Sequence, residues 1–207
     1  MGALTALCPK PLLDIGGVPL IEHHVARLAA SGIDEIVINL SYRGTQIREH
    51  LGEGGRFGIS ILYSEEGEPP LETAGGIVHA LPLLGDEPFV LVNSDVFTAF
   101  DYRALVAGPR EPTLVLVPNP THHARGDFGI DASGRVSAEP PLYTYAGVAV
   151  FAPQSFAALA PGRRPLKPWL DAAIARRELR GTLFSGLWID VGTPERLEAA
   201  RAVALRR

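Results

Sequence analysis

Apolar positions along the chain follow two periods, and each period predicts a different element. Behind Pro19, the residues Ile21, Val25, Leu28 and Ala29 recur on one helical face, and Gly32 stands where a helix should stop. Ile36-Val37-Ile38-Asn39-Leu40 reads as a buried strand, and a short amphipathic helix follows around Ile47 and Leu51. A strand is predicted at Ile59-Ser60-Ile61-Leu62-Tyr63, a helix from Thr73 to Leu81, and a strand from Pro88 to Val92 that runs into Asn93-Ser94-Asp95. Helices alternating with continuously apolar strands imply an α/β fold: a mixed, mostly parallel sheet with helices on both faces.

The second half is more broken. Leu114-Val115-Leu116-Val117, Phe128-Gly129-Ile130 and Tyr145 to Phe151 read as strands separated by Pro, Gly and Asp turns. Leu166 to Arg176 has a helical period, and Gly181 to Phe184 with Leu187 to Val191 are predicted to pair as short strands. A last helix starts at Thr193-Pro194-Glu195, where Thr suits the cap, Pro the first turn and Glu the dipole. No repeat and no shift in composition marks a boundary, so residues 1–207 are expected to form one domain.

Composition narrows the partners. Of the 207 residues, 46% are hydrophobic and 20% charged, which is ordinary for a globular chain. A net charge of −4 argues against a nucleic-acid partner, which calls for a basic face. Arg163-Arg164 and Arg206-Arg207 are then solvated basic pairs. The runs Phe89–Val92 and Tyr145–Pro153 fall far short of the roughly 20 residues that cross a bilayer. The first residues lack the charged and apolar regions of a secretory leader, and the single Cys8 suits a reducing compartment. The expectation is a cytoplasmic protein with no membrane partner.

Several residues invite chemistry. Asp95 follows a strand expected at the middle of the sheet, and ligands of open α/β sheets gather at carboxyl ends of strands. Asp190, in Trp188-Ile189-Asp190-Val191-Gly192, stands at another strand end. Either alone reads as a turn or cap residue; together they could hold one Mg²⁺, which takes one or two carboxylates and completes its shell with phosphate. Lys10, between Pro9 and Pro11, is presented from a stiff loop and suits phosphate oxygens, although a surface lysine has the same appearance. Glu72-Thr73-Ala74-Gly75-Gly76 is a loop of small residues entering a helix, where a flat ligand could approach the backbone and a structural turn would look alike. His122-His123 lack the spacing of a helical zinc site and point to a structural or sugar-site role.

Read in order, "CPKPLL" (Cys8–Leu13), "LETAGG" (Leu71–Gly76), "NSDV" (Asn93–Val96) and "WIDVGTP" (Trp188–Pro194) resemble the sugar-1-phosphate nucleotidyltransferases, from Leu4 to the carboxy terminus. Each motif is weak alone, and the ordered set is specific. The resemblance implies a Rossmann-like domain. It also implies attack of a sugar-1-phosphate oxygen on the α-phosphorus of a nucleoside triphosphate, with release of pyrophosphate. On this resemblance Asp95 and Asp190 are the Mg²⁺ ligands and, with Lys10, the catalytic residues. Glu72, Ala74, Gly75 and Asn93 bind the nucleotide, while Tyr145, Gly147 and Asp127 form the sugar site.

The stretches "GEGGRF", "YSEEGEPPLETAGG" and "NPTHHARGDF" turn the resemblance towards UTP and N-acetylmuramate 1-phosphate, and so towards cell-wall recycling. Glu139-Pro140-Pro141 lacks the lysine of a frequent Glu-Lys-Pro sugar motif, which leaves glucose or mannose 1-phosphate with another triphosphate as alternatives. No carboxy-terminal β-helix is expected, and homo-oligomerisation is left open. The family's opening strand and its Gly-x-Gly-x-Arg loop have no counterpart before Cys8, so Met1 reads as an internal methionine of that loop. A nucleotide-sugar-binding module without turnover is the competing class. A glycosyltransferase of similar fold is a third, although it more often carries two aspartates one residue apart.

Overall fold

The computed structural model describes residues 7–108 and 111–206, and the reading of Met1 lies outside the described residues. In chain order the regular elements are β1 (Asp14–Ile15), β2 (Val18–Pro19), α1 (Leu20–Ala30), β3 (Glu35–Leu40), α2 (Gly44–Leu51), β4 (Ser60–Glu65), α3 (Glu72–Leu84) and β5 (Phe89–Val92). There follow β6 (Val96–Thr98), α4 (Arg103–Val106), β7 (Thr113–Val117), β8 (Gly129–Ile130), β9 (Val136–Ser137) and β10 (Thr144–Phe151). The chain closes with α5 (Lys167–Ala175), β11 (Arg180–Leu183), β12 (Trp188–Asp190) and α6 (Pro194–Ala204). Short 3₁₀ turns include Lys10–Leu12 and Thr121–His123.

The chain divides into two compact units. The first comprises Met1–Pro70, Asn93–Val106 and Leu187–Arg207. Here β1 and β2 form a hairpin whose turn is Gly16-Gly17, both at positive φ (69° and 86°), which only glycine adopts without strain. Strand β3 pairs with β4 in parallel from Glu35↔Ser60 to Leu40↔Glu65, and β6 pairs antiparallel with β12. One core gathers Ile21 and Val25 of α1 with Leu40, Ile47, Leu51 and Ile61. A second joins Leu13, Ile15 and Leu20 to Phe97, Val191, Leu197 and Ala200. The segment carrying Lys10, the strand after Asp95 and the helix after Asp190 thus share one apolar cluster.

The second unit comprises Leu71–Val92 and Ala107–Gly186. Its sheet has the order β11-β7-β10-β5, with β7 buried at every position. The strand pairs β10·β5 and β10·β7 are antiparallel, and β11·β7 is parallel. Helices α3 and α5 supply Ala74, Ile77, Leu170 and Ala173 to a core around Leu114, Leu116, Phe151 and Phe156. Trp169 of α5 stacks on Phe156 at 4.5 Å between ring centroids.

The α/β expectation of mixed sheets with helices holds, but the pairing is not mostly parallel: among the described residues β3·β4 and β7·β11 are parallel and the other five ladders antiparallel. A second expectation is also corrected. The strands predicted from Gly181 and Leu187 do not pair with each other; β11 joins β7, and β12 joins β6. Burial decides this. The strand β7 and all three residues of β6 are buried and offer apolar ladders, whereas Thr182 and Leu183 of β11 are exposed. No helix among the described residues is long and apolar enough to cross a membrane.

Candidate active site

Lys10 opens a 3₁₀ turn that Pro9 precedes and Pro11 enters. The backbone N–H groups of Leu12 and Leu13 donate to the carbonyls of Pro9 and Lys10 at 2.9 and 3.1 Å, so the loop holds its own shape. Its Nζ donates to Oδ2 of Asp95 at 3.1 Å. The two side chains are 32% and 38% exposed, and an ion pair so placed contributes only about 0–1 kcal/mol to stability. The pair therefore arranges charge more than it braces the fold.

Asp95 sits in the turn before β6, and its carbonyl accepts the N–H of Val191 at 2.7 Å. The ladder register then sets Asp190 opposite Val96. Cα atoms of such pairs lie about 4.5–5.5 Å apart, so the two aspartates stand on adjoining chains although 95 residues separate them in sequence.

Asp190 has a cation of its own. The Nε of Arg196 donates to the Asp190 carbonyl at 2.8 Å, and its Nη2 lies 3.3 Å from Oδ1. The guanidinium crosses Gly192 to get there. A Cβ at Gly192 would overlap Nη2 and stand 2.7 Å from Asp190 Oδ1, so the glycine is a slot for the arginine. Thr193 caps α6, its Oγ1 accepting from the N–H of Arg196 at 3.3 Å, which ties the cap to the same side chain.

Hard oxygen donors on paired chains suit Mg²⁺. Among the described residues no cluster of three or more His, Cys, Asp or Glu side chains is assembled for a metal. The Asp95 carboxylate meets Lys10 and the Asp190 carboxylate meets Arg196, so the two oxygen-donor groups on the paired chains each carry a cationic partner.

The remaining predicted site residues, except Asn93, belong to the second unit. Glu72 is the first residue of α3 at φ +60°, a left-handed conformation costing a non-glycine residue about 1–3 kcal/mol. Arg163 pairs with its carboxylate at 2.6 Å. The methyl of Ala74 packs into the core. Gly75 is closely covered by the chain itself: its N–H donates to the Arg164 carbonyl at 3.1 Å, and a Cβ there would overlap the Gly162 carbonyl. A flat ligand at this turn would meet the 162–164 segment as well as the helix. Asn93, in the first unit, is half-buried in the turn leading to Asp95.

In the sugar group, Asp127 accepts from the backbone N–H of Tyr145 at 2.8 Å, and its other oxygen lies 3.0 Å from His123 Nε2. That contact fixes His123 against the carboxylate it accompanies in the sequence. Gly147 takes φ +71° inside a register shift between Tyr145 and Ala149. The Tyr145 hydroxyl is buried with no hydrogen-bond partner among the described residues, and burial pushes its pKa well above the ordinary value.

Sequence reasoning missed three participants. Arg196 was read only as part of the last helix, and Arg163 as a solvated charge that in fact meets Glu72. His24 was not singled out, although it falls on the Ile21–Leu28 face of α1, where a polar residue is out of pattern. It is 5% exposed, and burial lowers its pKa to about 4.

Comparison with known proteins places the chain in a family. Residues 2–206 match the family model described as Nucleotidyl transferase, and the chain belongs to that family. It is 42% identical to an N-acetylmuramate alpha-1-phosphate uridylyltransferase of Neisseria meningitidis serogroup B, over 99% of this chain and 93% of that protein. A Caulobacter vibrioides protein of the same description is 32% identical over 98% of this chain and 90% of its own length. The solved structure of a protein described as a glucose-1-phosphate thymidylyltransferase from Bacillus anthracis, in complex with a sucrose, superposes with a TM-score of 0.86. It covers 100% of this chain and 91% of that one at 22% identity, a likeness of fold.

Proposed function

We propose that the chain transfers a uridylyl group from UTP to N-acetylmuramate 1-phosphate. A phosphate oxygen of the sugar forms a bond to the α-phosphorus, and the bond from that phosphorus to the β-phosphate oxygen breaks to release pyrophosphate. The observation that carries the reaction class is the grouping of Lys10 and Asp95, 3.1 Å apart, beside the chain that holds Asp190. The base and the sugar rest on the two uridylyltransferase relatives.

Such transfers depend on positioning and charge neutralisation more than on covalent help. Lys10, on its stiff turn, would bind phosphate oxygens as a compact cation. Asp95 and Asp190 would hold Mg²⁺, which when bound neutralises phosphate charge and brings the reacting groups into line. Arg196 keeps the Asp190 carboxylate directed. Glu72, Gly75 and Asn93 would contact the nucleotide, and Asp127, Tyr145 and Gly147 the sugar. UTP is a cytoplasmic substrate, which supports a cytoplasmic place of action.

The test is product analysis with a panel of triphosphates and sugar phosphates in the presence of Mg²⁺. Pyrophosphate and a UDP-sugar from UTP and N-acetylmuramate 1-phosphate are expected. Comparable rates with GTP and mannose 1-phosphate but none with UTP would reject the substrate assignment. Free UDP would mark a glycosyltransferase, and the absence of any product a binding module.

A further inference from the structure

A polar pair lies in the core of the first unit where the chain could have placed two apolar side chains. His24 of α1 is 5% exposed and Tyr102, beyond β6, is 0% exposed. His24 Nδ1 and the Tyr102 hydroxyl are 3.1 Å apart. The other ring nitrogen, Nε2, is buried outside ideal hydrogen-bond geometry, with the Val96 backbone as the ring's remaining polar neighbour. Apolar groups of the same volume would avoid that desolvation cost. A rule broken in a core is expected where placement matters more than stability.

What the pair supports is the chain that presents Asp95. The front of the 95–102 segment is held by Val191, whose N–H reaches the Asp95 carbonyl at 2.7 Å, and by Lys10. The back is held by Tyr102 on His24, with the Phe100 ring edge-on to Tyr102 at 5.6 Å. Helix α1, which carries His24, packs directly against β6, the strand that follows Asp95. The neighbouring His23 completes the grip. Its Nε2 donates to the Ile15 carbonyl at 3.0 Å, and its ring meets Phe97 at 5.1 Å. Helix α1 therefore grips the chain after Lys10 and the chain after Asp95 through two adjacent imidazoles.

We propose that His24 and Tyr102 form a buried strut that positions the Asp95 carboxylate against Lys10 for nucleotidyl transfer. This rests on the role proposed for Asp95. Both are positioning residues, acting through the turn above them.

The test is the double variant His24→Leu with Tyr102→Phe, which removes both members of the buried pair together. Its melting temperature is expected to equal or exceed that of the parent, while kcat for pyrophosphate release falls about tenfold and KM for UTP stays within about twofold. His24→Asn, which returns an amide near the Nδ1 position, should retain much of the kcat. Acylation of Lys10 by acetic anhydride, read by mass spectrometry without substrate, should rise severalfold in the double variant. Unchanged kcat and unchanged Lys10 labelling would overturn the strut, as would a loss of rate that only follows a loss of folded protein. If the parent releases no pyrophosphate from UTP, the proposed reaction fails, and the labelling still decides the strut.

Discussion

Val191 donates its backbone N–H to the carbonyl of Asp95, and this 2.7 Å bond brings the two carboxylate-bearing chains together. Because the bond is made by backbone, the aspartate side chains are free of the task of holding the ladder. Asp95→Asn and Asp190→Asn should each lose about 100-fold or more in kcat, by analogy with the removal of a charge-stabilising group elsewhere. Circular dichroism melts should show both variants within a few degrees of the parent. Full turnover in either variant would remove that aspartate from the mechanism.

Lys10 makes the same point from the cationic side. The Lys10–Asp95 pair is about one-third exposed, so Lys10→Met should change stability by less than about 1 kcal/mol. Transfer should nevertheless fall by about 100-fold, because no other described cation pairs with Asp95. Denaturant unfolding and pyrophosphate release, measured on one preparation, separate the two effects.

Gly192 should tolerate no side chain. A methyl group there displaces the Arg196 guanidinium and crowds Asp190 Oδ1. Gly192→Ala is expected to cost about 1–3 kcal/mol through overpacking and to lower kcat together with it. Combining Gly192→Ala with Arg196→Ala should restore part of the stability, since the methyl then meets only Asp190 Oδ1, while activity stays low.

Glu72 offers the opposite sign. Its φ of +60° favours glycine, and its pair with Arg163 is largely solvated. Glu72→Gly should leave stability unchanged or raise it by about 1 kcal/mol. If the carboxylate contacts the nucleotide, KM for UTP should rise severalfold in the same variant, and an unchanged KM would place it outside the site.

Stability should also depend on the protonation of His24. Burial depresses its folded pKa to about 4, whereas an unfolded histidine titrates near 6.5, so between these values the unfolded chain binds the extra proton. The stability present above about pH 6.5 is therefore lost progressively as pH falls towards 4, by about 3 kcal/mol in all. Unfolding followed from pH 7 to pH 4 should show this slope in the parent, and His24→Leu should flatten it.

The sequence disclosed local structure well where an element could be recognised from its own period. Helix α1 was legible from Ile21, Val25 and Leu28, and α6 from its Thr-Pro-Glu start. Strand β6 escaped because three residues behind a turn carry too little pattern. Pairing escaped for another reason: β11 and β12 choose partners by burial, and burial is settled by chain segments far away in sequence. Lys10, Asp95 and Asp190 were singled out because motif order marked them, and the structure brings Lys10 onto Asp95 and the Asp190 chain beside it. Their supports, Arg196 and His24, carry no motif and become visible only when Gly192 is found to leave a slot and Tyr102 a partner.

Strand β10 changes register between Tyr145 and Ala149, with Gly147 at the step. Before the step, Tyr145 answers to Asp127; after it, Val148 to Phe151 answer to β5. The strand thus works as two segments joined by a hinge of phase. The Tyr145 end meets Asp127 through its backbone while its ring packs on the core, so the two segments share one apolar face but not one ladder. On the proposed sugar role of Tyr145 and Gly147, the step in register lets the ladder with β7 before it change while the ladder with β5 after it stands.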